Sequence, residues 1–171
     1  SQRQLADAVA AAFRWDRVDG GACTRSTGLL RASGKAGDPP LTAGSAACTA
    51  WAAAVRQVGI QLARMVSRGG EGATKLLECT VCGAPDTPTA KALAKSVITS
   101  SLFKAAMFGA DANWGRVLCA LGYAEAEFDI TKTEVRFASA AGDILVCQNG
   151  AGVPFSEEQA KTVLTEEEIM I

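Results

Sequence analysis

Hydrophobic residues recur at helical spacing along the second quarter of the chain. From about Ser45 to Ser67, apolar residues return at steps of three and four, as on one face of an amphipathic helix. These residues are Trp51, Val55, Val58, Leu62 and Val66. Gly69 and Gly70 follow directly and predict the end of this helix, because glycine is a common helix stop.

Three further stretches predict helices. Residues 4–13 place apolar residues four apart, and residues 156–164 open with Ser156 and Gln159 at the spacing of a capping box. Residues 86–109 predict one long helix with Pro88 before its start. Its apolar marks are Leu93, Val97, Leu102 and Ala106.

Alternating apolar and polar positions predict strands between the helices. Residues 133–152 give the clearest pattern, in which two alternating runs flank a turn at "SAAGD", as in a hairpin. The remaining predictions are strands over 74–84 and 165–171, a hairpin or strand–loop–strand unit over 15–37, a loop over 37–44, and over 110–124 a turn followed by an apolar segment that is helical or extended.

This order of elements favours α+β layers over a doubly wound sheet, because strands often follow strands. A chain of 171 residues fits one domain, predicted over 1–171, and is long enough to bury a core. Residues 1–171 begin inside a predicted helix and stop inside a predicted strand. We therefore expect the domain to be incomplete at both ends and part of a larger unit.

Composition and charge narrow the classes of partner. The formal net charge is −1 and no basic patch stands out, which disfavours nucleic acid. No apolar segment approaches the ~20 residues that span a bilayer, and no signal peptide opens the chain. We therefore expect a cytoplasmic protein.

The cysteines are expected to be free thiols. Six are present, but a chain of this size and apolar content does not need disulfides. Cys79 and Cys82 form a CxxC, for which a metal or redox role is disfavoured because the pair lies in a predicted strand, where positions three apart face opposite ways. The chain contains no histidine, so histidine-dependent triads and His–metal sites are excluded within it.

The segment "GGEGATK" joins the predicted long helix to a strand and places Glu71 between two glycines. Flanking glycines allow positive φ and close approach, and a carboxylate held there could bind an ammonium or guanidinium group. The alternative is an ordinary helix cap with a solvated glutamate, which the pattern alone favours.

The segment "ADANWGR", residues 110–116, has two interpretations as well. One is a capped turn, with Asp or Asn as N-cap, Trp114 packed on the core and Arg116 paired with Asp111. The other is a substrate-facing loop with a contact between Arg116 and a carboxylate. Without further knowledge, the pattern favours the capped turn.

Candidate nucleophiles near the start of the chain lack a partner. Cys23, Thr24, Ser26 and Thr27 lie near glycines, but no general base is visible, and a polar hairpin turn is favoured. Ser1 could in principle use its own α-amino group as base, but it leads directly into a predicted helix, which disfavours that role.

Taken together, the motifs resemble one family. "FRWDRVDGGACTRSTGLLRASGKAG", "GGEGATKLLECTVCGA", "AKSVITSSLFKAAMFGADANWGRVLCALGY" and "GVPFSEEQAKTVLTEEEIMI" follow the order and rough spacing seen in bacterial ornithine acetyltransferases. These are the bifunctional glutamate N-acetyltransferases of arginine biosynthesis. The resemblance covers nearly the whole chain.

The resemblance implies an N-acyltransferase that moves acetyl from N2-acetyl-L-ornithine to L-glutamate. In this family the precursor cuts itself before a threonine, which becomes the N-terminal nucleophile of the β chain and carries the acetyl group, while the α chain supplies the oxyanion hole. Some members also accept acetyl-CoA; no other cofactor and no metal are implied. The implied fold is an αββα-type (DmpA-like) sandwich with helices outside two packed sheets, and the implied assembly is an αβ heterodimer within a higher oligomer.

The sequence matches most of the β chain without the nucleophile strand, so no catalytic residue is expected in it and the chain alone is expected to be inactive. By resemblance, Glu71 binds the amino acid substrate by contacting the α-amino or amide nitrogen of that substrate. Asn113 and Arg116 match a family motif without a firm role.

Several positions depart from the family pattern. Gly21, Cys23, Arg25 and Ser26 replace the usual Asp, Ser, Asn and Asp, and Ala105 and Ala112 stand where Thr and Pro are usual. The departures leave open two alternatives: a diverged, non-catalytic scaffold or binding relative, and a self-cleaving amidohydrolase or aminopeptidase of the same architecture.

Overall fold

The computed structural model describes residues 29–31, 33, 35, 37 and 39–171. The chain divides into two compact units, residues 1–70 and residues 71–171. The helix predicted over 4–13 and most of the unit predicted over 15–37 lie outside the described residues. A single domain over 1–171 stays a prediction.

The first unit contains helix α1, Ala46–Arg68. The Ser45 hydroxyl caps its start by accepting a hydrogen bond from the Cys48 amide at 3.1 Å. At its end, the Gly69 amide donates to the Met65 carbonyl at 3.0 Å. The predicted helix and its glycine stop are confirmed, as is the loop before it, where residues 39–44 form neither helix nor strand.

The second unit is built on a five-stranded sheet with strand order β1-β5-β2-β3-β4. The strands are β1 (Leu76–Glu78), β2 (Val135–Ser139), β3 (Gly142–Gln148), β4 (Ala151–Gly152) and β5 (Glu168–Met170). β1 runs parallel to β5, and the other neighbours are antiparallel. The hairpin and the last strand are confirmed, whereas the strand predicted over 74–84 is confirmed only over Leu76–Glu78.

Four helices accompany this sheet: α2 (Thr87–Thr99), α3 (Ser101–Phe108), α4 (Trp114–Gly122) and α5 (Glu157–Thr165). The segment left open as helical or extended is therefore α4. The helix predicted from the capping-box spacing is confirmed with Ser156 as its N-cap, because the Ser156 hydroxyl accepts from the Gln159 amide at 3.2 Å. The reciprocal half of a capping box is not made, since the Gln159 side-chain amide donates to the Asp143 carbonyl at 3.3 Å instead.

The prediction of one long helix over 86–109 is wrong, because the chain leaves the helix at Ser100. Ser100 has φ −71° and ψ 114°, and its hydroxyl accepts from the Phe103 amide at 3.2 Å, which starts α3. The Thr99 hydroxyl donates to the Lys95 carbonyl at 2.8 Å. Ser and Thr side chains compete in this way for backbone groups, so a Thr-Ser-Ser run ends one helix and begins the next.

One hydrophobic cluster fills the second unit. The inward-facing residues of β2, β3 and β5 meet residues of all four helices, with Phe103 and Phe137 wholly buried. α5 packs on β2 and β3, while α2, α3 and α4 pack on one another. The α+β class is thus confirmed, with one sheet among the described residues; the second sheet of the predicted sandwich stays a prediction.

Candidate functional site

The Glu71 loop is exposed from residue 71 through residue 74. Gly72 has φ +72°, so the turn after Glu71 needs the left-handed conformation that glycine adopts at low cost. The Glu71 carboxylate makes no hydrogen bond or ion pair with any residue that the structure describes. The carboxylate is therefore open to a ligand, as the substrate-contact hypothesis requires, and equally to solvent.

Lys75 closes the same loop on its downstream side. Its ammonium donates a hydrogen bond to the backbone carbonyl of Leu164, in the last turn of α5. The last four carbonyls of a helix have no partner within it, and positive charge is favourable there. Partial burial lowers the pKa of the Lys75 ammonium. The sequence did not single out Lys75, because its partner lies at the far end of the unit.

The "ADANWGR" segment follows a well-formed helix end. Beyond α3, the Ala110 amide donates to the Met107 carbonyl at 3.1 Å and the Asp111 amide to the Ala106 carbonyl at 2.9 Å. These two bonds define a Schellman motif, in which the residue at the left-handed position is Ala110, with φ +51°, rather than a glycine. The motif turns the chain toward α4.

Asn113 is the N-cap of α4. Its side-chain oxygen accepts from the Arg116 amide at 3.2 Å, and its amide nitrogen donates to the Asp111 carboxylate at 3.0 Å. Asn113 has φ −78° and ψ 79°, and the Trp114 amide donates to the Ala112 carbonyl at 2.9 Å, as in an inverse γ-turn. The predicted cap is thus confirmed with Asn113 in that role.

The expected pairing of Arg116 with Asp111 is wrong for the described residues. Asp111 accepts from Asn113 instead, and among residues 39–171 the Arg116 guanidinium makes no ion pair. Arg116 is exposed. Its backbone therefore belongs to the cap, while its charge is free to meet an anionic ligand.

Trp114 packs against the hydrophobic cluster, as predicted, and also against the edge strand β4. A Cβ atom added to Gly152 would lie 2.5 Å from Cζ2 of the Trp114 ring. β4 is placed there by the Asn149-Gly150 turn, whose φ angles of 52° and 72° are those of a type I′ hairpin. Gly152 was missed from sequence, because only the fold brings it to Trp114.

Five of the cysteines lie in the part of the chain that the structure describes. Cys48, Cys79, Cys82, Cys119 and Cys147 form no disulfide, as predicted. Cys23 lies outside the described residues, as do Thr24, Ser26, Thr27 and Ser1. Burial raises the pKa of Cys79 to about 12, so this thiol stays protonated, whereas Cys82 is exposed. Within the described ranges, no group of three or more Cys, Asp or Glu side chains could hold a metal ion.

The candidate residues fall into two places. Asn113 and Arg116 share the cap of α4, and among the described residues no hydrogen bond or ion pair joins either of them to Glu71. The substrate-binding role of Glu71, Asn113 and Arg116 therefore stays a prediction. No helix in the described part of the chain is long and apolar enough to cross a membrane.

Comparisons with known proteins agree on one family. The model of the ArgJ family matches residues 1–171. The arginine biosynthesis bifunctional protein ArgJ 1 of Clostridium acetobutylicum is 38% identical over 169 residues, which is 99% of this chain and 41% of that protein. The ArgJ protein of Symbiobacterium thermophilum is 43% identical over 166 residues, covering 97% of this chain and 40% of that protein.

The fold agrees with this match. The crystal structure of the arginine biosynthesis bifunctional protein ArgJ from Bacillus halodurans superposes with a TM-score of 0.87 at 34% identity, covering 99% of this chain and 79% of that one. The chain spans about two-fifths of the length of the curated relatives, 41% and 40% in the two cases given. On sequence over its whole length and on fold, this chain belongs to the ArgJ family.

Proposed function

We propose that the protein to which this chain belongs transfers an acetyl group from N2-acetyl-L-ornithine to L-glutamate in arginine biosynthesis. The observation that carries the proposal is the match to the ArgJ family over residues 1–171, since its curated members are named bifunctional proteins of arginine biosynthesis. "EGATK" and "NWGR" stand in the family's order within that match.

The reaction proceeds in two halves through an acetyl-threonine. A threonine hydroxyl outside this chain attacks the acetyl carbonyl of N-acetylornithine, forms the ester and releases ornithine; the α-amino group of glutamate then takes the acetyl group and frees the hydroxyl. The present residues contribute binding rather than bond making. The open carboxylate of Glu71 suits a nitrogen of the amino acid, because a charge-assisted contact is stronger than a neutral one.

The proposal also covers the partner chain of the protein, its assembly and the cellular compartment in which it works. The α chain of the same precursor completes the site, the αβ unit assembles further, and the enzyme works in the cytoplasm. No resident cofactor or metal takes part. Acetyl-CoA is the alternative acetyl donor, and acetylation of glutamate by acetyl-CoA alone would reveal it.

The full-length protein tests the reaction directly. We expect ornithine release from N-acetylornithine that depends on glutamate, and an acetylated threonine peptide in a quenched digest examined by mass spectrometry. Ornithine release without need of glutamate would indicate an amidohydrolase of the same architecture. If neither ornithine release nor an acetylated threonine peptide were found, the remaining alternative would be a non-catalytic scaffold relative.

Glu71→Ala tests the binding residue. We expect a KM for N-acetylornithine raised about tenfold or more, with self-cleavage intact, because binding is lost rather than chemistry. Glu71→Gln should share the defect, since it keeps the shape and removes the charge. Glu127→Ala, at another exposed glutamate, is the matched control and should leave KM unchanged. If the KM of Glu71→Ala equalled that of the control, the alternative interpretation of Glu71 as a solvated glutamate in an ordinary helix cap would be supported.

Arg116→Ala tests the second candidate binding position, at the cap of α4. Its guanidinium is exposed and makes no ion pair with a described residue, which supports contact with a substrate carboxylate. We expect a raised KM without loss of thermal stability, because the cap of α4 uses only the Arg116 backbone. An unchanged KM would remove Arg116 from the binding site.

A further inference from the structure

The Glu71 loop is held to the rest of its unit by two adjacent residues. Lys75 reaches the Leu164 carbonyl through its side chain, and the Leu76 amide donates to the Glu167 carbonyl at 2.7 Å. Leu164 lies in the last turn of α5, and Glu167 lies in the short connection between α5 and β5. The downstream end of the loop is therefore attached both to the end of this helix and to the start of the strand that follows it.

The two attachments differ in kind. The Leu76 bond is part of the backbone pairing that continues into β1 and β5, where Leu76 lies opposite Glu168. The Lys75 bond uses a side chain and comes one residue earlier, at the point where the exposed residues 71–74 end. Lys75 is thus the first anchor met on passing from Glu71 into the unit.

The acceptor explains why a lysine serves here. Leu164 is wholly buried, and its carbonyl lies in the last turn of α5, where no helical amide is available. A long side chain ending in a positive charge can reach such a carbonyl and complement the negative end of the helix. Few other residue types combine that reach with donors only.

Gly72 forms the turn that connects Glu71 to the Lys75 attachment. Its φ of +72° sets the turn, and a Cβ there would meet nothing within 4 Å. Only Ala73 and Thr74, both exposed, separate this turn from Lys75. Within this unit, Lys75 is therefore the side-chain attachment nearest to Glu71.

We propose that Lys75 is a positioning residue for substrate binding: by holding the Leu164 carbonyl it orients the loop that presents Glu71 to the amino acid substrate. The proposal rests on the proposed function, because it takes Glu71 as a substrate contact. It assigns to Lys75 no contact with substrate.

A purely structural role for Lys75, as a cap of α5, makes a different prediction. Ser156→Ala weakens the same helix at its other end by removing the N-cap hydroxyl, without touching the loop. If Lys75 only stabilises α5, then Lys75→Met and Ser156→Ala should behave alike. If Lys75 positions the loop, they should differ in KM and in the mobility of the loop.

The experiment uses the full-length protein with Lys75→Met, Lys75→Arg, Ser156→Ala and, as an exposed lysine of α5, Lys161→Met. We expect Lys75→Met to raise the KM for N-acetylornithine by about fivefold or more with kcat within about twofold, Lys75→Arg to recover most of it, and the other two variants to keep the wild-type KM. Hydrogen exchange of the Leu76 amide, which donates to the Glu167 carbonyl directly after the loop, should speed up in Lys75→Met alone when it is measured without substrate.

Each result decides. Unchanged exchange of the Leu76 amide in Lys75→Met overturns the positioning role whether or not the enzyme is active. Faster exchange with an unchanged KM overturns the link to substrate, as does an equal rise of KM in Ser156→Ala. Faster exchange in a protein whose wild type shows no transfer to glutamate would refute the proposed function, and with it the substrate half of this inference, but not the anchor.

Discussion

The indole of Trp114 lies so close to Gly152 that a methyl group at position 152 would stand 2.5 Å from the ring. The contact joins the first residue of α4 to the edge strand β4. Position 152 must therefore be a glycine for the "NWGR" segment to pack on the sheet in this way. The positions of Asn113 and Arg116 depend on this packing, because both residues belong to the cap of the helix that Trp114 begins.

Gly152→Ala should destabilise the full-length protein by about 1–3 kcal/mol, because the ring must move to make room. The measurement is urea unfolding followed by far-UV circular dichroism, with near-UV dichroism reporting the aromatic packing. Gly122→Ala is the control, since a Cβ there would meet nothing within 4 Å, and it should be neutral or slightly stabilising. Equal effects of the two variants would contradict the packing described.

Ala110→Gly should stabilise the protein. Ala110 occupies the left-handed position of the Schellman motif at φ +51°, which costs a residue with Cβ about 1 kcal/mol, while loss of its partly buried methyl offsets some of the gain. We expect a net gain of about 0.5 kcal/mol in the free energy of unfolding. Ala105→Gly, on the exposed side of α3, should instead lose about 1 kcal/mol. A loss of stability in Ala110→Gly would show that the methyl contact outweighs the backbone strain.

Asn113→Ala should cost about 1 kcal/mol, because it removes the cap of α4. Asn113→Asp keeps an acceptor for the Arg116 amide but replaces the donor to Asp111 with a second carboxylate. We therefore expect this variant to be destabilised at pH 7 by the two neighbouring negative charges, and less so at about 1 M salt, which screens them. Thermal unfolding of both variants at low and high salt provides the check; a difference from wild type that does not depend on salt would show that repulsion from Asp111 does not contribute.

Cys79 should be inert to alkylation. Burial raises the pKa of its thiol to about 12, so almost no thiolate forms at pH 8, whereas Cys82 and Cys119 are exposed. Iodoacetamide at pH 8 followed by peptide mass spectrometry should label Cys82 and Cys119 and spare Cys79. Labelling of Cys79 as fast as Cys82 would contradict its burial.

The same burial predicts an alkaline loss of stability. The folded protein keeps the Cys79 proton up to about pH 12, while the unfolded chain loses it above about pH 8.5, so the stabilising difference falls as pH rises through that window. Cys79→Ala should show a shallower fall in unfolding free energy between pH 9 and pH 11 than wild type, as denaturant titrations can measure. Parallel curves would assign the alkaline loss to other groups.

Structural features that depend only on neighbouring residues, such as helix caps, were predictable from the sequence. The caps at Ser156 and Asn113 use hydrogen bonds that reach three residues along the chain, so residue type and spacing suffice. The start of α3 was missed although the chain carries a local signal for it, the Thr-Ser-Ser run at residues 99–101. In the structure, the buried positions on either side of this run are Val97 and Phe103. Leu102, taken as an apolar mark, is 55% exposed.

Features that depend on distant partners could not be predicted in this way. The Lys75 bond to the Leu164 carbonyl spans 89 residues, and Gly152 approaches Trp114 only after β4 has joined the sheet. No local pattern marks either pair. For Glu71, local sequence gave the turn, while its role came from resemblance.

The sheet order has a consequence for synthesis on the ribosome. β1 finds its neighbour in β5, which is translated almost a hundred residues later, so β1 cannot pair while the intervening polypeptide is still being made. The hairpin of β2 and β3 can form meanwhile from adjacent residues. The segment bearing Glu71 therefore cannot pair with Glu168–Met170 until that strand has left the exit tunnel, so its docking comes after the β2–β3 hairpin has become able to form.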